Sequence, residues 1–150
     1  MKTKSTAIYI ALLLMTLFAS AQQKTIESLK GDAERATGGQ QAKLCARVAD
    51  ALVGIAGQQF TDGNDQAAQA TVQEILTYAS RARDIAIKTH GKMKETEIVL
   101  RDTQRKLAGL KRTLGVDDRP PIEQVEKKIE QFRQDVLNEM FAPPKKKESK

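Results

Sequence analysis

The chain has 150 residues, with 25 Lys and Arg against 19 Asp and Glu, a single Cys, a single His and no Trp. That length suits one domain. The basic excess is not the footprint of a nucleic-acid binder. Lys2 and Lys4 belong to a leader, and without them the net charge is +4, of which the tail PPKKKESK supplies +3. The four aromatics outside the leader (Phe60, Tyr78, Phe132 and Phe141) lie near apolar stripes and form no stacking platform, so no nucleic-acid partner is expected.

The leader comes first in the chain. Lys2 and Lys4, an apolar run from Ala7 to Phe18 and the triplet Ala19-Ser20-Ala21 are the three parts of a secretory signal peptide. The apolar run falls short of the ~20 residues a spanning helix needs. No cysteine follows it that could carry a lipid. The expectation is cleavage of residues 1–21 near Ala21/Gln22, giving a periplasmic or secreted chain of 129 residues with no integral membrane segment.

Residues 22–39 show weak helical spacing (Ile26, Leu29, Ala33, Ala36) that stops at Gly38-Gly39, which reads as a joint. A domain at 40–142 follows. Cys45, Val48, Leu52, Ile55, Ala56 and Phe60 put one apolar face on a helix over about 40–61. Gly63 suits its left-handed C-terminal cap, and Asn64 suits the N-cap of the next helix. From Val72 the chain reads in sevens: Val72, Ala79, Ala86, Met93, Leu100, Leu107, Leu114. The interleaved set is Ile75, Ala82, Thr89, Thr96, Thr103, Leu110. This 3-4 alternation predicts one helix over about 65–114, roughly 75 Å long at the α-helical rise. Leu76, Ile85, Ile98 and Val99 widen the stripe toward a bundle. Gly91 interrupts it at a cost of ~1 kcal/mol. After Gly115, the prolines of VDDRPP start a third helix over about 121–142, with Ile122, Val125, Ile129, Phe132, Val136 and Met140 on one face. Residues 143–150 read as a disordered basic tail.

Charge suggests how the helices pair. Arg81 to Arg112 carries ten bases and four acids, whereas Asp117 to Glu139 carries seven acids and four bases. A short turn between them makes them antiparallel neighbours of opposite field. The fold class expected is all-α: an elongated three-helix antiparallel bundle around one long heptad-patterned helix, with a four-helix bundle as the alternative.

The chemistry-bearing residues are few. Cys45 shares its helix face with Val48 and Leu52 and reads as a buried thiol, an intermolecular disulfide being the sharper alternative for an odd cysteine. His90 and Met93 are soft metal ligands three residues apart, but two ligands do not close a site. Glu95 and Glu97 are two apart on a helix and so do not face each other, and Asp117 and Asp118 suit a turn. There is no phosphate loop, no G-x-S-x-G and no H-E-x-x-H. No catalytic residue, cofactor or metal is therefore expected, and the chain reads as a non-enzyme.

Residues 52–75, LVGIAGQQFTDGNDQAAQATVQEI, resemble one tetratricopeptide hairpin. Leu52, Ile55 and Ala56 stand at its first-helix packing positions, and Gly63, Ala68 and Val72 at its turn and second helix. Gln59 replaces an aromatic, Ile75 an alanine, and the closing proline is absent. The resemblance implies a helical hairpin able to present a partner-binding surface. The functional expectation is an exported interaction or scaffold module at the cell envelope, binding another envelope protein or itself. Its alternatives are a small periplasmic chaperone-like protein for unfolded clients, and a protein tethered to surface polymer or lipid through Lys145, Lys146, Lys147 and Lys150. The processing expectation has a direct check: the intact mass of the exported protein should correspond to a chain beginning at Gln22, and recovery of the full-length chain in the inner membrane would overturn it.

Overall fold

The computed structural model describes residues 25–143, so the leader and the four tail lysines lie outside the described residues. Within them every regular element is helical. Helix α1 spans 25–35 and α2 spans Gly38–Thr61. The joint between them uses Gly38 at φ +59° and the Gln41 side-chain amide, which donates to the Ala33 carbonyl at 3.2 Å. Helix α1 lies on α3 (Asp65–Thr89), burying Ile26 and Ala33, while Lys30 pairs with Glu74 at 2.7 Å and Glu34 with Arg81.

The α2–α3 turn follows the chemistry its residues dictate. Gly63 takes φ +72°, its N–H bonds to the Phe60 carbonyl at 3.1 Å, and the Asn64 N–H bonds to the Gln59 carbonyl at 2.9 Å. That pair of bonds is the Schellman arrangement, which satisfies carbonyls left open at the end of α2. Asn64 Oδ1 then accepts from the Ala67 N–H and caps α3.

The predicted 65–114 spine is two helices. Helix α3 ends at Thr89, α4 runs from Met93–Thr113, and the chain reverses over His90, Gly91 and Lys92. His90 (φ +48°) and Lys92 (φ +54°) both sit in the left-handed region, where a residue with a Cβ is strained by about 1–2 kcal/mol. The 3-4 spacing in sequence says nothing of the backbone between its positions: 86 to 93 and 89 to 96 are seven apart with or without a turn, and here Thr89 is exposed and Met93 half-buried. Counting in sevens cannot distinguish a helix from a reversal that preserves the count. A short 3₁₀ turn, Val116–Asp118, leads into α5 (Arg119–Phe141), whose prolines occupy its first turn, where their missing N–H groups leave no bond unmade.

The long helices make four flanks. Helices α2 and α3 pair along their lengths, as do α4 and α5, while α2 touches α4 and α3 touches α5. Helices α3 and α4, joined directly in the chain, barely meet, so they stand across the diagonal. Lys106 reaches Asp50 at 2.7 Å and Leu110 lies against Gly57, so α4 runs parallel to α2. Two antiparallel hairpins are thus packed face to face, in place of the extended three-helix arrangement. The core holds Val48, Val72, Ile75, Leu100, Leu107, Ile122 and Ile129, all shut off from solvent. Each such aliphatic side chain contributes about 1.5–3 kcal/mol on burial.

Where α2 begins, its backbone touches the α3–α4 turn. A Cβ on Gly39 would lie 2.7 Å from Gly91 Cα, and one on Gly91 would lie 2.9 Å from Gly39 Cα. Neither neighbour is a side chain that can move aside. Gly54, also within α2, faces open space. Gly39→Ala should therefore destabilise by about 1–3 kcal/mol through overpacking, while Gly54→Ala should stabilise by up to about 1 kcal/mol through helix propensity. Urea unfolding of the two variants checks this, and equal shifts in one direction would contradict the backbone contact.

Candidate functional site

The apolar stripe of α3 is wider than its core seam. Val72, Ile75, Ala79, Ala82 and Ala86 point fully inward, whereas Leu76 and Ile85 flank them and stay half-buried. Because α3 and α5 meet less closely than α2 and α3 do, these flanking residues line an open groove of about 690 Å³ between α3 and α5. Phe132 of α5 completes the apolar wall, and Gln73, Thr77 and Lys128 form a polar rim.

Arg83 holds the wall in place. Its guanidinium carbon stands 4.5 Å from the centroid of the Phe132 ring, one terminal nitrogen donates to Asp135 Oδ2 at 2.8 Å, and the other reaches Ser80 Oγ at 3.4 Å. Its Nε lies 2.7 Å from Asp84 Oδ1 without the alignment of a hydrogen bond. A cation over a ring face with a carboxylate behind it fixes the rotamers of both side chains. Lys128 is exposed and has no ion pair among the described residues, so the rim keeps one free positive charge.

A second polar cluster joins α4 to α5. Glu97 is 3% exposed, and one carboxylate oxygen accepts from Arg101 at 2.5 Å while the other accepts from Arg133 at 3.1 Å. Arg133 also donates to Gln104 Oε1 at 2.9 Å and Glu130 Oε2 at 2.6 Å. Burial pushes the Glu97 carboxyl up, and the hydrogen bonds and charges of Arg101 and Arg133 more than reverse it, so its pKa lies below the ordinary 4.5. With two arginines saturating the carboxylate, this is a positioning network between helices and has no free group for proton transfer. Arg83–Asp135 and Lys111–Glu126 realise the pairing of basic spine with acidic last helix that charge suggested, whereas Glu97–Arg133 joins the same helices with the opposite polarity.

The residues singled out from sequence fall apart in space. Cys45 is buried in the core, and burial pushes its thiol up against the partly opposing charge of Arg81, so a disulfide to another chain would require the helices to part. His90 stands exposed on the α3–α4 turn, with Nδ1 3.7 Å from Glu139 Oε1, and Met93 begins the next helix instead of sharing a face with it. Among the described residues no three His, Cys, Asp or Glu side chains could hold a metal ion. Glu95 pairs with Lys92 at 3.1 Å on the surface, while Glu97 is buried. Asp117 and Asp118 lie in the 3₁₀ turn. The sequence reading missed the roles of Glu97, Arg133 and Arg83. Arg101, four residues after Glu97, was the available signal for the network.

Comparison with protein-family models, with curated proteins and with solved structures finds no match. Among the described residues no helix is long and apolar enough to cross a membrane.

The depressed Glu97 pKa fixes a sign. Its contribution to stability is fully present above the unfolded carboxylate pKa and is lost as pH falls through the lower folded one. Glu97→Gln should therefore lower stability near neutrality by about 1–3 kcal/mol and flatten the fall in stability below about pH 4.5. Urea midpoints measured across that range check it, and a variant curve parallel to the wild type would show that the network does not carry the acid sensitivity.

Proposed function

We propose that the protein is an exported, non-enzymatic helical bundle that acts as an interaction or scaffold module at the cell envelope. The observation that carries this reading is the α3–α5 groove between two parallel helices: half-buried Leu76 and Ile85 line it beside the largely buried Phe132, whose ring Arg83 covers. A partner suited to it offers an apolar strip, as an amphipathic helix does, flanked by acidic residues that meet Lys128. The leader at residues 1–21 supports the export half of the reading. A chaperone-like role for unfolded clients would use the same wall without selecting a sequence. The basic tail, with Lys145, Lys146, Lys147 and Lys150, offers an independent electrostatic tether to anionic polymer or lipid.

The experiment is affinity capture from envelope extract with the mature chain, a Leu76→Glu variant and a deletion of residues 144–150. One protein retained by wild type and tail deletion but lost by Leu76→Glu supports the reading. A heterogeneous set of unfolded clients supports the chaperone role, and capture lost only with the tail supports tethering.

A further inference from the structure

The reversal at His90–Lys92 carries two features that a continuous helix would resolve. After a chain reversal the register of α4 is free, since its seam has only to face the core. Yet Ala86 to Met93 and Thr89 to Thr96 keep the seven-residue step of the stripe that runs from Val72 to Leu114. Two of those step positions are also unspent here, Thr89 being exposed and Met93 only half-buried. The turn itself is strained, with His90 at φ +48° and Lys92 at φ +54°, both side chains exposed and neither residue a glycine. A continuous helix through 90–92 would relieve both positions and align the whole stripe.

We propose that the chain forms an exchanged dimer with a second copy of itself, in which 65–113 is one helix and each copy's α2–α3 hairpin packs on the other copy's α4–α5 hairpin. The contacts between the hairpins are those of the single chain, so the interface is already complementary. Arg83–Asp135, Lys106–Asp50 and the packing of α2 on α4 would simply become interchain. Short, strained hinges between units with their own packing are where such exchange occurs. Straightened, two copies of the 65–113 helix would run antiparallel, each passing from one half-bundle into the other with its stripe turned to the shared core.

The chain from Gln22 is concentrated, sized by sedimentation and treated with a zero-length carbodiimide that joins Lys106 to Asp50, an ion pair 2.7 Å apart. The expected result is a dimer that persists on dilution, because release requires the hairpins to separate, and in which the Lys106–Asp50 crosslink joins two chains. Lys92→Gly should weaken dimerisation about tenfold or more, since glycine relieves the left-handed position in the closed chain and disfavours the open helix. Gly91→Ala, which favours the helix and clashes with Gly39 in the closed chain, should strengthen it by a similar factor. Monomer alone at the highest concentration reached, or a dimer whose Lys106–Asp50 crosslink stays within one chain, would overturn the proposal. So would a dimerisation constant that Lys92→Gly leaves unchanged.

Discussion

Because neither Gly39 nor Gly91 has a side chain, the first turn of α2 can lie directly against the reversal between α3 and α4. That contact sets where the two hairpins meet, and the rest of the packing is measured from it. It places Asp50 opposite Lys106 and Gly57 against Leu110 further along the same pair of helices. It also brings His90 to Glu139, so the end of α5 closes on the same end of the bundle. A methyl group at either glycine would push α2 and α4 apart at one end while the aliphatic core held them at the other.

Much of this was legible in the residues, and the failures have physical causes. Gly63 and Asn64 announced a cap and a cap they form, since the turn depends only on local backbone geometry and a short acceptor side chain. The apolar face of α2 and the whole of α5 followed from period alone, as did burial of Val72, Ile75, Ala79, Leu100 and Leu107. The long spine was the error. Gly91 is a weak helical position costing about 1 kcal/mol, but the left-handed residues of the reversal are His90 and Lys92; lysine has no such preference, and histidine's enrichment there is far weaker than glycine's and marks no turn by itself. Their conformation is imposed by packing of the helices on either side. The α3–α5 groove was half legible: Leu76 and Ile85 were surplus to a two-helix seam, but which helix would leave them uncovered depends on how the hairpins dock.

Polar groups inside the bundle add selectivity to packing that apolar seams leave permissive. Ala79, Ala82 and Ala86 present a smooth face on which a partner helix could slide. Arg83 gripping Phe132 and Asp135 fixes α5 against α3, and Arg133 reaching Glu97 and Gln104 fixes it against α4. A one-turn slip of α5 would leave Glu97 buried without Arg133, which costs far more than an exposed pair contributes. The two contacts act on opposite flanks of one helix, so they define its axial position and its rotation together.

Cys45 turns this packing into a clock. Its thiol sits in the core with α1 close by, and burial keeps it protonated while the helices are closed. Alkylating reagents and disulfides react with thiolate that they can reach, so its modification waits on each separation of α2 from its neighbours. The labelling rate therefore counts openings of the bundle one molecule at a time, with no probe added. The same closure keeps the Cys45 thiol from reaching a thiol on another molecule.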